Sequence, residues 1–114
     1  MRGWLGVGYR RELVPWIQRH SENVSCLEIT AEHFFESDLE VLKRLSQQYD
    51  LFVHGLGLSL GTSGPLDVAT LRAFARVAQA ADARWVSEHI AFTRTQEVDL
   101  GHLNPVAPTK KTRN

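Results

Sequence analysis

Two imidazoles carry the chemistry of this 114-residue chain. His54 ends the apolar run Leu51-Phe52-Val53-His54-Gly55, and His89 ends Trp85-Val86-Ser87-Glu88-His89. A third run, Cys26-Leu27-Glu28-Ile29-Thr30-Ala31-Glu32-His33, closes on a carboxylate and another imidazole. An isolated imidazole after apolar residues is ordinarily a hydrogen-bonded core group. Two at equivalent strand ends reverse that preference, because neutral imidazole suits Fe, Zn, Cu and Ni, and ligands belong on rigid elements. His89 is therefore the favoured partner of His54. Glu88 points to the opposite side if its strand continues, which makes it a supporting or structural group. Glu32, Glu88 and His102 are further possible metal or substrate contacts. No residue is assigned a catalytic role.

These side chains need elements to bring them together, and the pattern supplies them. Short apolar runs at 4–8, 24–29, 51–54 and 84–88 alternate with amphipathic segments. Helices are predicted from Glu12 to Arg19, after Ser37, and from Asp67 to about Asp82. Ser37-Asp38-Leu39-Glu40 reads as a capping box, and Leu39, Leu42, Leu45 and Tyr49 form the apolar stripe behind it. Asp67 is the expected N-cap of the third helix, whose face carries Val68, Leu71, Ala75 and Ala78. Strand and helix alternating at this spacing predict successive βαβ units on a parallel sheet, with every strand's C-terminal end on one side. The fold class is α/β, parallel βαβ units over 1–104. From Gln96 the pattern fades, and 105–114 reads as a loop or disordered tail.

Composition excludes several classes. Thirteen basic and thirteen acidic residues balance, so nothing recommends nucleic acid or an anionic membrane surface. No apolar stretch approaches the roughly 20 residues of a membrane span, and no secretory signal opens the chain. Cys26 is the single cysteine and reads as a buried structural thiol in a cytoplasmic protein. The stretch Gly55-Leu56-Gly57-Leu58-Ser59-Leu60-Gly61 lacks both the dinucleotide fingerprint and a Gly-Lys-Ser/Thr ending. It reads as a tight loop whose backbone approaches a pocket. Ser59, Ser63 and Ser87 lack the context of a nucleophile elbow.

Val53-His54-Gly55-Leu56-Gly57-Leu58-Ser59-Leu60-Gly61 and Val86-Ser87-Glu88-His89-Ile90-Ala91-Phe92, taken together, resemble the signature segments of the multinuclear non-haem iron-dependent oxidative enzymes, formerly a domain of unknown function. Gly6-Val7-Gly8-Tyr9-Arg10 and Glu28-Ile29-Thr30-Ala31-Glu32-His33-Phe34-Phe35 resemble the opening segments, with His33 departing from the usual Asn. Gly101-His102-Leu103-Asn104 resembles a later one. The resemblance covers roughly residues 3 to 109. It implies a TIM barrel of the xylose isomerase-like kind, with the parallel βαβ units over 1–104 as its first units, two or three iron ions, and dioxygen chemistry on cysteine residues of a ribosomal peptide beside a peptide-presenting partner protein. His54 and His89 match iron-ligand positions, and Glu32 matches a recurring acidic one. A complete barrel takes on the order of 250 residues. The chain is therefore expected to be an N-terminal portion, truncated or frameshifted, prone to self-association and too short to hold the complete site. Two alternatives stand beside the oxidative reading. One is a non-catalytic fragment acting through association; the other is a hydrolase or isomerase barrel using Zn, Mg or Mn.

Overall fold

The computed structural model describes residues 4–109. Four short strands, β1 (Gly6–Gly8), β2 (Cys26–Thr30), β3 (Asp50–Gly55) and β4 (Val86–Glu88), lie side by side in chain order, all parallel. Helices α1 (Val14–Arg19), α2 (Glu40–Gln48) and α3 (Val68–Ala80) link them. This is the expected βαβ series, the start of a TIM barrel, with the sheet open along β1 and β4 among the described residues.

Strand alternation divides the sheet into two faces. Leu27 and Ile29 of β2 stand in register with Leu51 and Val53 of β3, and all four are buried. They meet Leu42 of α2 and Phe74, Val77 and Ala81 of the α3 region in one core. The other face carries Phe52 and His54. There Phe52 stacks on Trp85, with ring centroids 4.0 Å apart, and Trp4 packs against both. One face is thus built for cohesion, and the opposite face carries aromatic rings and the first imidazole. Cys26 is buried as expected, and burial pushes its thiol pKa up, away from reactivity.

Local details depart from the sequence reading in three places. Ser37 does not cap α2: its hydroxyl donates to the His33 carbonyl, the N-cap position falls on Leu39, and Asp38 Oδ1 accepts from Glu40 N at 2.9 Å. The buried face of α3 is Ala73, Phe74 and Val77, and Val68 and Leu71 are exposed. The bulk of Phe74 sets that rotation, because its ring fills the space beside Gly55, where a β-carbon would collide with it. Finally, the region past Gln96 is not featureless. β5 (Ala91–Arg94) and β6 (Asp99–Pro105) form an antiparallel hairpin. Nearly every β6 residue is exposed, so the strand has no apolar alternation for sequence reasoning to find. Positions 106–109 have no regular structure, and 110–114 lie outside the described residues.

Asp67 caps α3 as expected, accepting from Ala69 N and from the Thr70 hydroxyl. The Thr70 hydrogen bond leads the causes that hold its pKa below the usual carboxylate value. A depressed folded-state pKa contributes stability above the unfolded pKa, and that stability is lost as pH falls through the folded value. Acid titration of Asp67→Asn against the parent is therefore expected to show a stability gap near neutrality that closes as pH falls below the usual carboxylate range. A gap that persists unchanged into strong acid would contradict the cap.

Candidate metal centre

The parallel register sets His54 of β3 opposite Ser87 of β4, and His89 follows β4 by one residue. The two imidazoles therefore rise from neighbouring strands at the C-terminal edge of the sheet. Their Nε2 atoms stand 2.9 Å apart and their rings meet edge to face, with centroids 4.7 Å apart. Both are half-buried. Nδ1 of His54 is held by the Ser87 hydroxyl at 2.7 Å, which fixes the ring and aims Nε2 at its partner.

Two nitrogens facing each other need something between them. Either one ring donates a proton to the other, or both donate lone pairs to a cation. Imidazole nitrogens about 2.1 Å from one ion and at right angles to each other stand about 3.0 Å apart. The observed separation fits that chelate, and neutral imidazole is a donor for iron as well as zinc. Among the described residues, no third His, Cys, Asp or Glu completes a group able to hold an ion.

The two carboxylates nearby are engaged elsewhere. Glu32, in a short 3-10 turn after β2, accepts Leu56 N at 3.0 Å and Gly57 N at 2.8 Å. Glu88 accepts Leu58 N at 3.1 Å and His89 N at 2.8 Å. The glycine-rich segment is indeed a tight βα loop, but its amides face protein carboxylates. His102 is exposed on β6 and belongs to none of these bonds. Of the residues singled out by sequence, the structure thus pairs His54 with His89, has Glu32 and Glu88 accept from amides of the loop after β3, and leaves His102 on the hairpin. Two clefts, of about 530 and 540 Å³, are lined by neither histidine of the pair.

Sequence reasoning missed a second set of residues. Ser59 is buried at positive φ (56°), and its hydroxyl oxygen accepts from Thr93 N at 2.8 Å and more weakly from Arg94 N. It also donates to the Thr62 hydroxyl, which donates in turn to the Arg94 carbonyl. The Arg94 guanidinium returns to the carbonyls of Gly57 and Leu58. This knot ties the loop to β5. No motif announces it, because its members are scattered polar residues whose partners are mostly backbone atoms.

Comparison with known proteins shows the family. Residues 4–114 match the family described as RiPP precursor modification enzyme MbnB/TglH/ChrH. The chain is 28% identical to UPF0276 protein VP3015 of Vibrio parahaemolyticus over 113 residues, covering 96% of the chain and 39% of that relative. It is 32% identical to UPF0276 protein PM0211 of Pasteurella multocida over 108 residues, covering 90% of the chain and 34% of that relative. UPF0276 protein AM1_3026 of Acaryochloris marina is 27% identical over 111 residues. The chain spans less than two fifths of the length of these relatives. No helix among the described residues is long and apolar enough to cross a membrane. With four parallel strands in order, paired imidazoles at their C-terminal edge, and a match over all but its first three residues, the chain belongs to the MbnB/TglH/ChrH family of RiPP precursor modification enzymes.

Proposed function

We propose that this chain supplies the first two ligands, His54 and His89, of an iron centre that in the complete protein modifies cysteine residues of a ribosomal peptide with dioxygen. The observation that carries the reading is the 2.9 Å approach of two Nε2 atoms from adjacent strand ends. Iron, when bound, supplies the one-electron steps and open coordination positions that dioxygen chemistry needs. Glu32, Glu88 and His102 are not assigned as ligands in this reading.

The chain's own contribution is orientation. The Ser87 hydroxyl holds Nδ1 of His54, so the ring keeps Nε2 available as a neutral donor. Burial of Leu51 and Val53 fixes the strand from which His54 rises. The aromatic group Trp4, Phe52 and Trp85 packs farther down the same sheet face. Further ligands come from parts of the complete protein that this chain does not cover. The peptide substrate follows from the family; a peptide-presenting partner protein and a cytoplasmic location belong to the same proposal.

Metal analysis after anaerobic purification tests it. The expected result is iron, with oxygen consumed when the complete protein meets a cysteine-containing peptide. Zinc or manganese without oxygen consumption would favour a hydrolase or isomerase instead. Ser87→Ala is expected to lower Fe(II) affinity by about 10- to 100-fold, the usual effect of losing a group that orients a ligand, as read by equilibrium titration.

A second reading has its own observation. Trp85, Val86 and Ile90 at the β4 edge are 54%, 52% and 80% exposed. An open apolar edge favours association. A metal-free, concentration-dependent oligomer would support a non-catalytic fragment acting through association.

A further inference from the structure

We propose that Glu88 is a positioning residue, not a ligand: its carboxylate staples the loop after β3 to the tip of β4 and thereby sets how His89 meets His54. The inference rests on the reading of the two histidines given above.

One carboxylate holds two backbone amides from two segments. Oε2 accepts Leu58 N at 3.1 Å, and Oε1 accepts His89 N at 2.8 Å. The first amide lies on the loop that continues directly from His54 and Gly55. The second belongs to the other imidazole's own residue. Hydrogen bonds to an ionised acceptor are roughly twice as strong as neutral ones, so this is a firm link between the two ring-bearing segments.

The staple stands on the wrong side of the strand for a ligand. A β-carbon at Gly55 would come 2.5 Å from Glu88 Oε2 and would strike the Phe74 ring, so the carboxylate lies on the helix side of β3. His54, one residue earlier, projects from the opposite face. To reach an ion between the imidazoles, Glu88 would have to release both amides.

The loop end of the staple is itself anchored. The Arg94 guanidinium donates to Gly57 O at 2.9 Å and to Leu58 O at 3.5 Å, and Ser59 is tied to Thr93 and Arg94. Leu58 N therefore cannot drift after a displaced carboxylate. Glu32 provides an internal comparison: it binds Leu56 and Gly57 of the same loop but does not touch His89.

Glu88→Gln tests the proposal in the full chain. A glutamine offers one acceptor oxygen and one donor NH2, so it can satisfy only one of the two amides. Expected are a loss of at least about tenfold in exchange protection of the His89 amide, loss of the ring-to-ring nuclear Overhauser contact between His54 and His89, and about 10- to 100-fold weaker Fe(II) binding. Glu32→Gln is expected to keep the ring contact. Should Glu88→Gln fail to fold, Glu88→Asp retains the charge but is too short to span both amides, and the same losses are expected. A ring contact that survives in Glu88→Gln or Glu88→Asp overturns the proposal. So does equal loss in Glu32→Gln, which would mean general loosening of the loop. A Co(II) spectrum altered in Glu88→Gln while the metal-free ring contact persists would make Glu88 a ligand. If the unmodified chain takes up no metal, the iron reading fails, and the ring contact still decides this inference.

Discussion

Replacing His54 or His89 with alanine is expected to weaken Fe(II) binding by more than about 100-fold, beyond the range seen when only an orienting group is lost. In the proposed centre each ring is half of a two-point chelate, and a single remaining imidazole would not hold an ion against water. The effect on folding is expected to be small. Both rings are only half-buried, and neither belongs to the apolar core. His102→Ala provides the comparison: that ring is exposed on the hairpin, and its loss is expected to leave affinity unchanged. Equilibrium titration with Fe(II) under anaerobic conditions, alongside thermal unfolding of each variant, checks all three. Equal, small losses for His54→Ala, His89→Ala and His102→Ala would remove the pair from the account.

The largest expected loss of stability is at Leu27. It is fully buried on β2, between β1 and β3, and its register partners are Val7 and Leu51. Leu27→Ala removes its transfer energy and leaves a cavity that flanking strands cannot close, at a cost of about 2–5 kcal/mol. A small domain holds only about 5–15 kcal/mol in total, so much of the molecule's stability goes with one side chain. Denaturant unfolding should show a lower midpoint with an unchanged slope. Because Leu27 faces the helices and the imidazoles face away, the variant is expected to bind Fe(II) normally while folded. A midpoint shift worth less than about 1 kcal/mol would mean that the core is not where the strand alternation puts it.

The parallel frame was legible because its signals are local and periodic. Leu51 and Val53 alternate with Phe52 and His54, and Leu42, Leu45 and Tyr49 recur at helical spacing. Once strands run parallel in chain order, residues 54 and 89 must end near each other, and they do. What stayed hidden depends on packing or on backbone partners. The rotation of α3 follows the bulk of Phe74 beside Gly55, which no propensity scale weighs. β6 carries Asp99, His102 and Asn104 in a strand exposed on almost every residue, so alternation has nothing to report. The roles of Ser59, Thr62 and Arg94 rest on carbonyls and amides, which look alike in every sequence. Glu88 is the instructive case. Strand alternation already sets it opposite His89 as a supporting group, and its position behind Gly55 adds the amides that it holds.

Anomalous diffraction at the iron edge, from crystals of the protein grown anaerobically with Fe(II), tests the central claim most directly. The account predicts a peak within bonding distance of Nε2 of both His54 and His89. A peak elsewhere, or an intact imidazole pair with no density between the rings, would contradict it.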